Sequence, residues 1–136
     1  MNTLSLVTGG AGFIGSNLVD YLLEQGHSVI CVDNESANNE KFYWNDKSWN
    51  VNADVTDYKA MKNVFTGVDY VFHLAAESRL QSAIQNPIQA VEKNCVGTTV
   101  MLQCAREAGV KRFIYSSTSS GYGNNPYPNV ETQPDD

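Results

Sequence analysis

The segment Thr8 to Gly15, TGGAGFIG, constrains this chain more than any other, because Gly9, Gly12 and Gly15 recur every third residue between two differently patterned flanks. Before it, TLSLVT (Thr3 to Thr8) is a β-rich run; after it, Ile14, Leu18 and Leu22 recur at helical spacing up to the stop signal Gly26. The reading is a strand, a tight turn and a helix. In such a turn the first glycine lets the chain leave the strand sharply. The second lets an anion approach the backbone, and the third lets the helix pack closely on the sheet. Free N–H groups and the helix dipole then face the anion. A glycine-rich turn alone is weak evidence. Here Asp33 ends the following strand, and the combination points to a dinucleotide site.

The remaining pattern repeats this alternation. SVICV (Ser28 to Val32) is a second buried strand, and NESANNEKFYWNDKSWN is a polar loop with interspersed aromatics. Val51 to Val55 reads as a third strand. Asp57 caps a helix carrying Met61, Val64 and Phe65, which ends at Gly67. Val68 to Ala75 is the fourth strand. A long helical pattern with Ile88, Val91, Cys95, Leu102 and Ala105 closes at Gly109, and Arg112 to Ser116 is the fifth strand. The expected fold is α/β: a doubly wound parallel sheet of about five strands, in order 3-2-1-4-5, with helices on both faces. Residues 1–136 form one domain, and a chain of that length buries roughly two-thirds of its unfolded surface.

Composition narrows the partners. A formal charge of -6 opposes nonspecific nucleic-acid binding, which depends on cations displacing counterions from phosphates. No apolar run approaches the about 20 residues of a membrane span, and MNTLSLVTGG lacks the basic start and apolar stretch of a secretory signal. The expectation is a cytoplasmic protein that binds neither nucleic acid nor membrane. Cys31, Cys95 and Cys104 lie in apolar-patterned segments without Cys-x-x-Cys spacing, so they read as buried thiols, with no disulfide or metal site.

Chemistry sharpens the dinucleotide reading. The Asp33 carboxylate can accept hydrogen bonds from both ribose hydroxyls and would repel a 2'-phosphate, so NAD is expected rather than NADP. Asp54 and Val55 can hold the adenine edge, through the carboxylate and the backbone. Each acid also has a plain reading, Asp33 as a solvated strand end and Asp54 as a turn residue.

In order and spacing, TGGAGFIG (8–15), VDN (32–34), ADVTD (53–57), HLAAES (73–78), NCVGT (94–98) and YSSTSSGYG (115–123) resemble the extended short-chain dehydrogenase/reductase family. Within it, the resemblance is to NAD-dependent nucleotide-sugar epimerases and dehydratases, and it covers the whole chain. It implies a Rossmann-like cofactor fold. It further implies that Phe13 and Ile14 present backbone to the pyrophosphate, and that Asn34, Leu74, Ala75, Ala76, Asn94, Ser116 and Ser117 belong to the cofactor's surroundings. Ser78 and Arg79 fall where family members contact substrate, although Arg79 reads equally as a surface cation. Asn94 also reads as an exposed-face residue, and His73 as a packing residue rather than a catalytic imidazole.

By the same resemblance, Thr118 is the hydroxyl that meets the sugar hydroxyl being oxidised, with Ser119 and Ser120 on the substrate side. A hydroxyl suits this task because it donates and accepts at once. Dehydratases of the family place an acid directly after the Thr, to protonate a leaving hydroxyl. Serines there point instead to a 4-epimerase, in which hydride leaves sugar C4 for NAD and returns to the other face.

The family's catalytic Tyr-x-x-x-Lys is expected on a later helix. Tyr43–Lys47 and Tyr58–Lys62 have the spacing in the wrong places, and Tyr122 and Tyr127 are followed at that offset by Pro126 and Glu131. Family chains are also roughly twice as long. The chain therefore reads as the N-terminal, NAD-binding half of such an enzyme, inactive alone and completed by a C-terminal polypeptide. The alternative is a stand-alone NAD-binding or assembly module without turnover, and a 4,6-dehydratase is the more distant reading. An uncovered fifth-strand side also implies self-association or partner binding.

Overall fold

A computed structural model of the chain describes residues 2–37 and 41–133. Residues 38–40 of the expected polar loop and the last three residues of the stretch beyond Thr118 lie outside the described residues, as does Met1. The elements are β1 (Leu4–Thr8), α1 (Phe13–Glu24), β2 (Ser28–Asp33), β3 (Trp49–Asn52), α2 (Tyr58–Val64), β4 (Tyr70–His73), α3 (Leu80–Gln85) and α4 (Pro87–Val91). A π-helical turn (Glu92–Gly97), α5 (Thr98–Ala108), β5 (Arg112–Tyr115) and a 3-10 turn (Ser119–Tyr122) follow. All four strand pairings are parallel, in the expected order β3-β2-β1-β4-β5.

The three central strands are apolar on both faces, as strands covered by helices on each side must be. Leu6, Ile30, Val32 and Val71 pack with Met61 and Phe65 from α2 and its end, and with Met101, Cys104 and Ala105 of α5. Their neighbours Val7, Val29 and Cys31 face the other way, onto Val19 and Leu22 of α1. Each large side chain so buried contributes about 1.5–3 kcal/mol, and two such layers clamp the sheet.

Two segments differ from their sequence reading. The third strand is Trp49–Asn52 rather than Val51 to Val55, in register from Ile30↔Trp49 to Asp33↔Asn52. As an edge strand in which only Val51 is partly buried, it carries no apolar signature. Ala53 N donates to the Asp33 carbonyl at 3.0 Å, and Asp54 and Val55 then fall in the turn before α2. Asp57 caps that helix as expected, its Oδ1 accepting from Ala60 N at 3.0 Å.

The expected long helix is broken and rotated. Pro87 opens α4 and holds Asn86 at φ −133°, ψ 67°, outside helical geometry. Ile88, Val91, Cys95 and Leu102 are exposed, while Ala90, Gly97, Met101, Cys104 and Ala105 are buried. Close approach decides the face: a Cβ at Gly97 would sit 2.8 Å from Val55 Cγ2, so small residues are needed there. Cys95 is thus an exposed thiol and not the buried one expected, whereas Cys31 and Cys104 are buried. At the sheet edge, Ile114 and Tyr115 of β5 are also exposed. No helix among the described residues is long and apolar enough to cross a membrane.

Candidate dinucleotide site

The chain runs outward from β1 to β2 and β3, then returns to place β4 on the other side of β1. Loops after β1 and β4 therefore diverge, and the crevice between them is where parallel α/β sheets take ligands. A cavity of about 640 Å³ opens there. Gly9, Gly12, Phe13, Ile14 and Gly15 form one wall. Asp33, Asn34, Asp54 and Val55 close one end, and Leu74, Ala75, Ala76, Ser78, Arg79, Ser116 and Ser117 line the rest.

Backbone proximity explains two of the glycines. Gly9 has φ +66°, and a Cβ on it would lie 3.0 Å from Ala75 N. A Cβ on Gly15 would collide with the Gly9 carbonyl oxygen, so α1 can start where it does only without one. The turn is consequently a cradle of bare backbone, with Phe13 and Ile14 exposed at its rim.

Hydrogen bonds orient the acids at the cavity's end. Asp33 Oδ2 accepts from Ala11 N at 3.1 Å and Oδ1 from Glu35 N at 2.8 Å, leaving each oxygen one further acceptor position. Asp54 is more heavily committed. Its Oδ1 accepts from the Thr56 amide and hydroxyl at 2.9 and 2.7 Å, and its Oδ2 from Asn34 Nδ2 at 2.7 Å. Burial would raise the Asp54 pKa, but those hydrogen bonds and the Lys93 charge hold it below the ordinary carboxylate value. Only Oδ2 of Asp54 keeps an acceptor position for a ligand.

Asn94 does not line the main cavity. It braces the loop after β4, accepting from Glu77 N at 2.7 Å and donating to Glu77 O at 3.1 Å. His73 is buried in the core beneath that loop, with Nδ1 2.7 Å from Thr8 Oγ1 and Nε2 3.0 Å from Thr98 Oγ1. Thr118, Ser119 and Ser120 lie just beyond the cavity walls, and all three are exposed. Thr118 Oγ1 there accepts from Ser120 N at 3.1 Å, capping the 3-10 turn. The two Tyr-x-x-x-Lys look-alikes lie off the cavity. Tyr58 donates to the Glu107 carboxylate at 2.8 Å and Lys62 pairs with it at 3.6 Å, bracing α2 against α5.

Several lining residues escaped the sequence reading: Val32, Ser36, Ala37, Phe42, Ala53, Glu77, Ser82, Asn86, Gln89 and Lys93. Four of them, Ser82, Asn86, Gln89 and Lys93, recur at helical spacing and form one polar stripe on α3, α4 and the π turn. That spacing was a usable signal. Lys93 also pairs with Glu77 at 3.7 Å, both side chains being mostly buried.

The profile of the NAD-dependent epimerase/dehydratase family matches residues 5–136. The chain belongs to that family. A UDP-glucose 4-epimerase from Halalkalibacterium halodurans is 37% identical over 126 residues, covering 87% of this chain and 35% of that protein. UDP-glucuronic acid decarboxylase 2 from Arabidopsis thaliana is 38% identical over 128 residues, covering 93% of this chain and 28% of that protein. Among solved structures, UDP-glucose 4-epimerase from Bifidobacterium longum in complex with NAD+ and UDP superposes with TM-score 0.87 at 30% identity, over 98% of this chain and 43% of that one. The chain thus spans less than half the length of these epimerase/dehydratase family members. The epimerase and the decarboxylase named above resemble it about equally, at 37% and 38% identity.

Proposed function

We propose that this chain binds NAD in the 640 Å³ cavity and serves as the cofactor-holding part of a UDP-sugar 4-epimerase. The observation that carries the reading is Asp33. Two backbone amides aim its carboxylate into the cavity beside a cradle of bare glycine backbone. Phe13 and Ile14 amides would face the pyrophosphate, Asp33 the ribose hydroxyls, and Asn34, Asp54 and Val55 the adenine edge. Leu74, Ala75, Ala76, Ser116 and Ser117 would line the nicotinamide half, with Asn94 fixing the loop that carries it.

NAD, when bound, supplies a hydride acceptor and donor. The Thr118 hydroxyl would relay the proton of the sugar hydroxyl to the phenolate of the family's tyrosine, since it can accept and donate in turn. Ser78, Arg79, Ser119 and Ser120 would meet the sugar. The preference for 4-epimerisation over dehydration rests on Ser119 and Ser120, which offer no carboxylic acid to protonate a leaving hydroxyl.

Calorimetry should show saturable NAD binding and much weaker NADP binding, because a 2'-phosphate would meet Asp33. No NAD binding, or equal binding of both, overturns the cofactor reading. Mixed with a C-terminal polypeptide carrying Tyr-x-x-x-Lys, the chain should interconvert UDP-glucose and UDP-galactose. Binding without turnover in every such mixture favours a non-catalytic module. Exposed Leu80, Ile84, Ile88 and Val91 on α3 and α4, with Ile114 and Tyr115 on β5, support self-association or partner docking on that side. A monomer by light scattering at high concentration counts against the self-association.

A further inference from the structure

Thr8, His73 and Thr98 form a buried polar chain that none of the roles above uses. Thr8 and His73 are paired across β1 and β4, and Thr98 is the first residue of α5. None of the three lines the main cavity. Their hydrogen bonds nevertheless end on it. Thr8 Oγ1 accepts from Leu74 N and from Ala75 N, each at 3.2 Å, the former shared with the Thr8 carbonyl. Leu74 and Ala75 are cavity wall, and it is their backbone that touches Gly9.

Proton counting fixes the direction of the chain. A hydroxyl oxygen has two acceptor positions and one proton. Two amides fill both acceptor positions of Thr8 Oγ1, so its proton points to the remaining neighbour, His73 Nδ1, at 2.7 Å. The imidazole then carries its single proton on Nε2, which donates to Thr98 Oγ1 at 3.0 Å. Phe113 and Tyr115 of β5 pack their rings against it, with centroids 5.7 and 6.1 Å away.

We propose that His73 is a positioning residue for the dinucleotide cavity, neutral and protonated on Nε2. Through it, Thr98 on α5 and Thr8 on β1 together hold the Leu74–Ala75 backbone at contact distance from the glycine turn. The relay sets the gap between the two backbone walls that a dinucleotide must enter, and so the affinity for it. This role rests on the NAD reading, and its test separates the two.

In the unliganded protein, ¹⁵N NMR of His73 should show Nδ1 as the unprotonated acceptor and Nε2 as the protonated nitrogen. The reverse tautomer overturns the proposal whether or not any variant folds. Thr98→Val keeps the shape but leaves a buried Nε2–H unpaired, and should weaken NAD binding about tenfold, while Thr98→Ser stays within about twofold of the wild type. Equal affinity of the Val and Ser variants overturns the relay. If the wild type itself binds no NAD, the cofactor reading fails instead. The relay is then judged by amide hydrogen exchange at Leu74 and Ala75, which should be faster in Thr98→Val than in Thr98→Ser. Equal rates overturn it.

Discussion

Acidification from pH 7 to pH 5 should destabilise this protein through His73 before its carboxylates respond. Burial holds the folded-state pKa of His73 near 4, against an ordinary value of 6.5. No charged neighbour offsets that effect: the groups facing the ring are the Thr8 and Thr98 hydroxyls and the rings of Phe113 and Tyr115. With the folded pKa depressed, the unfolded chain binds the proton more readily. Stability is therefore full above pH 6.5, falls as pH drops through the window down to about 4, and stays lost below it. At about 1.4 kcal/mol per unit the whole window corresponds to about 3 kcal/mol, of which about 2 kcal/mol is gone by pH 5.

Asp54, Asp69 and Glu107 have folded-state pKa values below their ordinary 3.8 to 4.5, so their contributions disappear only as pH falls below that range. The interval from pH 6.5 to 5 thus separates His73 from those three carboxylates. Urea unfolding followed by circular dichroism at pH 7, 6 and 5 should show the midpoint falling by roughly 1 M, taking m in the range usual for small domains. His73→Asn removes the titration and should flatten the dependence, whatever its own stability at pH 7. A wild-type midpoint that is flat over this interval refutes the reasoning. So does an undiminished slope in the variant.

Three further outcomes follow from the geometry. Gly15→Ala forces a methyl into the Gly9 carbonyl and should cost about 1–3 kcal/mol or more of stability and abolish NAD binding, as read by thermal melts and calorimetry. A thiol reagent at pH 8 should label Cys95 rapidly and leave Cys31 and Cys104 unmodified in mass spectra of the native protein. Cys95 is exposed, whereas burial, aided by Asp33, pushes the Cys31 thiol up to about 12. ADP-ribose should displace NAD with an affinity within about tenfold of NAD's own, because the built contacts cluster at the adenosine end; a far weaker competitor would show that the nicotinamide end dominates.

What could be read from the sequence was what local chemistry dictates. Gly9 and Gly15 had to be glycines because backbone meets backbone there, and β1, β2 and β4 had to be apolar because helices cover both faces. Trp49–Asn52 was missed because an edge strand is under no such demand. The face of α4 and α5 was misread for a different reason. Ile88, Val91, Cys95 and Leu102 share helical spacing with a second stripe of Ala90, Gly97, Met101 and Cys104. The choice between them depends on how closely Gly97 must approach Val55, which is a tertiary distance. Asp33 was legible as the acid ending the second strand, but its two amide donors come from Ala11 and Glu35 and appear only once the turn is folded.

The two ends of the cavity differ in how they are held, and that difference bears on function. At the Asp33–Asp54 end, carboxylates, Asn34 and the Thr56 hydroxyl and amide form an interlocked set of short hydrogen bonds resting on strand ends and a capped helix. Order there is already present before any ligand arrives, so binding loses little conformational entropy. At the Ser116–Ser120 end, Thr118 accepts a hydrogen bond from Ser120 N within its own turn, and Ile114 and Tyr115 beside it stand open to solvent. A hydroxyl that is to pass protons needs its partners fixed to within a fraction of an ångström. On the function proposed above, recognition of the dinucleotide and chemistry on the sugar would therefore be separable, the first resting on the ordered Asp33–Asp54 end and the second on how the exposed Ser116–Ser120 end is packed.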